Sequence, residues 1–278
     1  MRITRRRFLA ASAAGLAAAA GGALHANALE AVRTERPRRP GAPPLRIALL
    51  TDVHAPHNHV DEDDLVDRVR AFDPHLVLVG GDAINRRGQE SHLALYGRLP
   101  ARVGRYAVFG NHEWWGRCTR ESLGRAYAAN DVRLLVNERA TFDHEGEEIA
   151  IVGLDDWRAG RPDLDVLGAG APWVGDLAAG TASSECPPTI VLAHCPIMFD
   201  AIQRCARSPT LVLSGHTHGG QVAPLGVALA TPYGSGRYVK GWYAGSHQAQ
   251  HLYVSRGIGY VGVPLRIGAR PELTLLTI

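Results

Sequence analysis

Lysine is almost missing from this sequence. Lys240 is the only one in 278 residues, so arginine carries nearly all of the 30 basic charges. A replacement this complete reflects the base composition of the coding sequence rather than function. Cysteine is scarce too, and Cys118, Cys186, Cys195 and Cys205 form no C-x-x-C pair. That spacing excludes the common thiolate zinc sites. It leaves open a Cys195 bridge to Cys186 or Cys205, or four unpaired thiols. A strong charge of one sign is also lacking. The balance is 30 basic against 27 acidic groups, and residues 1–28 hold Arg2, Arg5, Arg6 and Arg7 with no acid. Without them the chain carries 26 − 27 = −1, which argues against a nucleic-acid partner. No internal repeat occurs. The longest apolar run, Phe8 to Leu24, is rich in Ala and Gly and marginal for spanning a bilayer.

What is present begins with an export signal. "TRRRFLA" (Thr4 to Ala10) resembles a twin-arginine signal, with Arg5 and Arg6 as the pair, Phe8-Leu9 behind them, and Ala10 where such signals often carry Lys. "HANA" offers a small-residue cleavage site at Ala26 and Ala28. Residues 1–28 are therefore expected to be a signal peptide read by the twin-arginine export machinery. The mature chain would begin at Leu29 and reside in the periplasm, the cell wall or on the outer face of the cytoplasmic membrane. An uncleaved anchor is the alternative, and it gives the same location with the membrane surface close by. Residues 29–44 are rich in Pro and Arg and read as an extended tether. One domain is expected over 45–278.

Within that domain the apolar runs are short, continuous and β-rich: "LRIALL", "HLVLVG", "RYAVFG", "EIAIVGL", "TIVLA" and "TLVLSG". Length and flanking turns favour strands buried on both faces. Helical patterns lie between several of them, such as "DEDDLVDRVRAF", which opens with acids, and "RESLGRAYAAN". Alternating strands and helices indicate an α/β fold. Arg158 to Pro188 reads as an irregular excursion with a short helix.

Polar residues follow the runs. The first ends in Asp52 and His54, the second in Asp82, and the third in Asn111, His112 and Glu113. "TIVLA" ends in His194, and "TLVLSG" ends in His216 and His218. Strand carboxyl ends are where open α/β sheets bind ligands, so these scattered residues are expected to meet on one rim. Imidazole with carboxylate suits Mn, Zn or Fe. Asp52, His54, Asp82, Asn111, His194, His216 and His218 are seven donors. One ion with an open position takes about three or four protein donors, so seven fit two ions sharing a carboxylate.

These blocks resemble the signature of calcineurin-like metallophosphoesterases: D-x-H, GD, GNH-[DE], H and GHxH. Here they are Asp52-Val53-His54, Gly81-Asp82, Gly110-Asn111-His112-Glu113, His194 and Gly215-His216-Thr217-His218. "GHTHGGQ" and the closing "VSRGIGYVGVPLRIGARPELTLLTI" are similar to the bacterial exported or membrane-associated YkuE- and YaeI-like phosphodiesterase branch. The resemblance implies a four-layer α/β/β/α sandwich of two mixed sheets flanked by helices. It implies one metal on Asp52, His54 and His218, a second on Asn111, His194 and His216, and Asp82 between them. A hydroxide bridging the two ions would attack phosphorus. His112 would be no ligand but a catalytic residue, steadying phosphoryl oxygens or protonating the leaving oxygen.

The implied function is metal-dependent hydrolysis of a phosphodiester or pyrophosphate, with a lipid- or nucleotide-linked envelope molecule as substrate. Phosphomonoesterase or nucleotidase activity is the runner-up, and a metal-binding scaffold without turnover is a third reading. Several residues have secondary roles to be tested. His57 and His59 neighbour the first ligand loop, Asp155 and Asp156 are candidates to orient a ligand imidazole, and Trp114-Trp115 are candidates to line a substrate groove.

Overall fold

The computed structural model describes residues 28–36, 41–56, 60–168, 187–205, 210–246 and 249–278. Residues 1–27, holding nearly all of the expected signal, lie outside these, as do His57, His59, Cys186 and most of the excursion before Pro188.

Two six-stranded mixed sheets face each other. The first has the order β1 (Glu30–Glu35), β12 (Glu272–Thr277), β2 (Arg46–Leu50), β3 (Leu76–Val79), β4 (Gly104–Ala107), β5 (Arg133–Leu134). The second runs β10 (Gly241–Ala244), β11 (Gln250–Val254), β9 (Thr210–Ser214), β8 (Thr189–Leu192), β7 (Glu147–Gly153), β6 (Glu138–His144). Strands β2 to β5 are mutually parallel, and so are β7, β8, β9 and β11. Only β12 against β2, β6 against β7 and β10 against β11 run antiparallel.

The period of two explains the layers. Ile47, Leu49, Leu76 and Leu78 of the first sheet meet Ile149, Ile151, Ile190 and Leu192 of the second in the sandwich interior. Ala48, Leu50, Val77 and Val79 point the other way, onto helix α1 (Glu62–Phe72). Val152, Val191 and Val212 likewise turn outward against Phe199 and Ile202 of α5 (Phe199–Cys205). Both faces of each central strand are covered, so the runs are apolar without alternation.

Helix α1 begins where the sequence supplies a cap. The Asp61 side chain accepts from the amides of Asp63 and Asp64, and Glu62, Asp63 and Asp64 sit at the positive end of the helix dipole. Leu65, Val66, Val69 and Phe72 form its buried face. The remaining helices are α2 (Ala94–Arg98), α3 (Asn111–Trp115) and α4 (Arg120–Ala128).

The structure corrects the expected tether. Glu30–Glu35 is a sheet strand that pairs in parallel with β12 from Glu30↔Glu272 to Glu35↔Thr277. Leu29 and Ala31 pack on the core, Thr34 accepts a 2.8 Å hydrogen bond from Trp242, and Glu30 pairs with Arg256 at 2.8 Å. The prolines that suggested an extended tether all fall after this strand, from Pro37 onward. Among the described residues no helix is long and apolar enough to cross a membrane.

Candidate metal centre

Parallel strands in both sheets deliver their carboxyl ends to the same end of the sandwich. Beyond β2 come Asp52 and His54, beyond β3 Asp82, and beyond β4 Asn111 and His112 at the start of α3. The second sheet adds His194 beyond β8, and His216 and His218 beyond β9. All eight lie together, and all but His112 are buried. Five of them, Asp52, His54, Asp82, His216 and His218, hold left-handed backbone with φ between 50° and 69°. Such conformations cost energy for a residue with a β-carbon, and they cluster where side chains must be aimed. Glycine makes room beside them: a β-carbon on Gly215 would collide with the Asp52 carboxylate, and one on Gly110 with Asp82.

The donor atoms fall into overlapping groups. Asp52, His54 and His218 present ligand atoms within 4.8 Å of one another, as do Asp82, His194 and His216. A third group joins His54 and Asp82 to His112, so Asp82 belongs to both ends of the site. The sequence kept His112 out of the ligand set. Its ring stands edge-on to His54 at 4.6 Å, near enough to join a ligand group, while its backbone N–H donates to Asp82 at 2.8 Å.

Hydrogen-bond partners assign the imidazole protons. His54 Nδ1 donates to Asn85 Oδ1 at 2.8 Å, which turns Nε2 inward. His194 Nδ1 donates to the Gly80 carbonyl at 2.8 Å, and its Nε2 faces Asp82 at 3.3 Å. His216 Nε2 donates to the Tyr233 carbonyl at 3.0 Å, leaving Nδ1 for the site. His218 differs. Arg266 Nη2 sits 3.0 Å from its Nδ1, and a guanidinium only donates. The ring proton therefore rests on Nε2, 3.2 Å from His54 Nε2.

The electrostatics also call for a cation. Burial alone would raise Asp82, but His194, His54 and His112 outweigh it and hold the carboxyl well below its usual value. Burial opposes charge on His194, yet Asp82 pulls the imidazole well above its usual value, so a proton stands where positive charge is wanted. Asp52 behaves as Asp82 does: burial is outweighed by His218, His194 and His54, and its pKa is lowered. His216 and His218 are pushed down, first by burial and then by His194 and Arg266 respectively, among other charges. Asn111 Oδ1 is buried with no hydrogen-bond partner. An orphaned buried carbonyl oxygen on the cleft floor with Asp82 and His216 is free to take a cation.

Three supporting residues escaped sequence reasoning. Asn85 and Arg266 orient ligand imidazoles, in place of Asp155 and Asp156. Those two carboxylates instead accept from Trp114 Nε1 at 2.8 Å and Cys195 Sγ at 3.3 Å. Arg266 is fully buried and also donates to the carbonyls of Gly259, His218, Arg256 and Ala269. The third is Glu113, whose two oxygens accept from the amides of Gly110, Asp82, Ala83 and Ile84 at 2.6 to 3.3 Å. Its signal was visible as the last letter of the GNHE block.

The expected aromatic pair splits. Trp114 stacks on Phe109 at 4.7 Å as core, while Trp115 is 51% exposed and lines an open cleft of about 470 Å³. Asp82, Asn111, His112, His216 and His218 form its floor, and Arg158, Gln221, Pro232 and Val261 its walls. Among the described cysteines Cys118, Cys195 and Cys205 are free thiols.

Residues 45–220 match the family model described as calcineurin-like phosphoesterase. The chain belongs to this family. A member of it from Bacillus subtilis, the uncharacterized metallophosphoesterase YkuE, is 30% identical over 100% of this chain and 98% of its own length. The bovine transmembrane protein with metallophosphoesterase domain is 33% identical over 84% of this chain, which spans about half (52%) of that longer protein. Among solved structures the NAD nucleotidase NadN of Haemophilus influenzae superposes with a TM-score of 0.52 at 16% identity, covering 78% of this chain and 51% of NadN. That likeness shows the metallophosphoesterase fold.

Proposed function

We propose that this metallophosphoesterase hydrolyses a phosphodiester or pyrophosphate at a dinuclear centre. Asp52, His54 and His218 would hold one ion, Asn111, His194 and His216 the other, and Asp82 both. The observation that carries the reading is that Asp82 groups with His194 and His216 on one side and with His54 on the other, while His54 itself groups with Asp52 and His218. Mn, Zn and Fe suit the imidazole–carboxylate set. Two such ions supply charge neutralisation at the phosphoryl group and a water nucleophile ionised near neutral pH.

The chain's own residues do the rest. Asn111 contributes a neutral oxygen, which limits negative charge facing an anionic substrate. Burial lowers the pKa of His112, so at neutral pH it is an uncharged donor at the cleft floor. It is placed to bond a phosphoryl oxygen or to pass a proton to the leaving oxygen. The cleft walls are largely apolar at Trp115, Ala230, Pro232 and Val261, which suits a second ester substituent. Arg158 supports the runner-up, because its guanidinium at the cleft could take the second charge of a phosphomonoester.

Metal-loaded protein should carry about two ions per chain, hydrolyse bis-p-nitrophenyl phosphate, and lose that activity in EDTA. Faster turnover of p-nitrophenyl phosphate would favour the monoesterase. No turnover of either ester with Mn, Zn or Fe would leave the scaffold.

A further inference from the structure

Nine large apolar side chains are exposed among the described residues, and seven of them stand on two loops. Leu225, Val227, Leu229 and Tyr233 belong to the loop after the last ligand histidine. Val261, Val263 and Ile267 belong to the loop before β12. The loops are stitched into one surface. Val222 bridges Ile267, Ala223 N–H donates to the Ile267 carbonyl at 2.6 Å, and the Gln221 side chain bonds the backbone of Val261 and Val263. Leu225 is the tip. It holds φ 55° between Pro224 and Gly226 and is 103% exposed. A branched side chain in left-handed backbone, touching nothing, stabilises nothing in the free molecule.

Charge says what covers this patch. From Ala201 through Pro271 the chain has no Asp or Glu, although 27 acids occur overall. The same stretch holds Lys240 and six arginines, of which Arg266 is buried and Arg256 is paired with Glu30 and Glu272. The Lys240 ammonium lies against the Leu225 turn, 3.9 Å from where a β-carbon on Gly226 would stand. Among the described residues it makes no ion pair. An apolar surface with an ammonium beside its tip and no acid in its own loops does not complement itself. It complements an anionic lipid surface, into which aliphatic tips insert while basic and aromatic groups stay at headgroup level.

We infer that the 222–233 and 260–267 loops dock this protein on anionic bilayers. Gln221, Pro232 and Val261 of the same loops line the cleft, so docking brings the candidate centre to the membrane plane. Docking stands apart from hydrolysis and survives failure of the metal reading.

The test is hydrogen exchange on the full chain with phosphatidylglycerol–phosphatidylcholine vesicles. Peptides over 222–229 and 261–267 should slow by roughly tenfold, and should not slow with phosphatidylcholine alone. The exposed pair Leu225→Asp and Val263→Asp should abolish that protection while exchange elsewhere and turnover of a soluble ester stay unchanged. Unchanged exchange in both loops on vesicle-bound chain would overturn the inference, with the N-terminal segment then the sole anchor. Protection that persists in the double variant would overturn it as well. So would protection that grows with protein concentration without lipid, which would make the occupant a second copy.

Discussion

Glu113 ties two ligand loops together. Its four amide bonds reach Asp82, Ala83, Ile84 and Gly110, so one carboxylate sets the path of the chain beyond both β3 and β4. Two oxygens taking four amides is the geometry of an ionised group, yet burial and the neighbouring Asp82 push its pKa up to about 8. A folded pKa raised from the ordinary 4.5 means stability that is present below that value and lost as pH rises through 8. In EDTA-treated protein the melting temperature should therefore fall between about pH 5 and about pH 8. Glu113→Gln should make that slope shallower, with His194 supplying what remains. It should also cost about 2 kcal/mol in denaturant titrations above about pH 8, where the carboxylate is ionised and an amide NH₂ would face backbone N–H groups instead. A second comparison separates ligand from catalyst. Asp82→Ala should cut bound metal from about two ions per chain to below one, whereas His112→Ala should keep both and lower kcat by roughly 10²–10⁴-fold. Metal lost from His112→Ala would instead place that ring among the ligands, as its group with His54 and Asp82 allows. The donors were legible because each ends an apolar run. Their orienting partners were not: Arg266 reaches His218 across 48 residues and Asn85 reaches His54 across 31, and nothing local marks either contact.

Elements were legible where one physical pattern dominated. The central strands announce themselves as unbroken apolar runs, and α1 by its acidic start and its Leu65–Val66–Val69–Phe72 face. Strand β1 was not, because composition averaged over 29–44 merges six strand residues with the prolines and arginines that follow. It also occupies a sheet edge, where only one side is covered and polar residues such as Arg33 and Glu35 stay exposed. The structure gives this strand a measurable role. It pairs with the whole of β12, and Thr34 links it to Trp242 of the other sheet. A chain beginning at Gly41 should lose about 2 kcal/mol, seen as a fall of roughly 4–8 °C in melting temperature. An unchanged midpoint would return residues 29–36 to the status of a tether.

At the scale of the molecule, nothing in the centre exists until nearly everything has folded. Ligands come from both sheets, the Asp52 carboxylate accepts the His216 amide at 2.9 Å across them, and β1, the first described strand, pairs with β12, the last. A partly synthesised or extended chain has no metal site. If metal is acquired before export, the protein must cross the membrane folded, which is what a twin-arginine signal provides. The strand β1 starts at Glu30, one residue after Leu29, so cleavage behind Ala28 would leave the sheet complete. Replacing Arg5 and Arg6 by Lys should hold the precursor in the cytoplasm, folded and carrying metal, while the unaltered chain is recovered outside with Leu29 at its N-terminus. Cell fractionation with N-terminal sequencing reads both outcomes. Undiminished export of the Lys pair would reject the twin-arginine route, and a mature N-terminus beyond Glu35 would mean that β1 is lost from the exported protein.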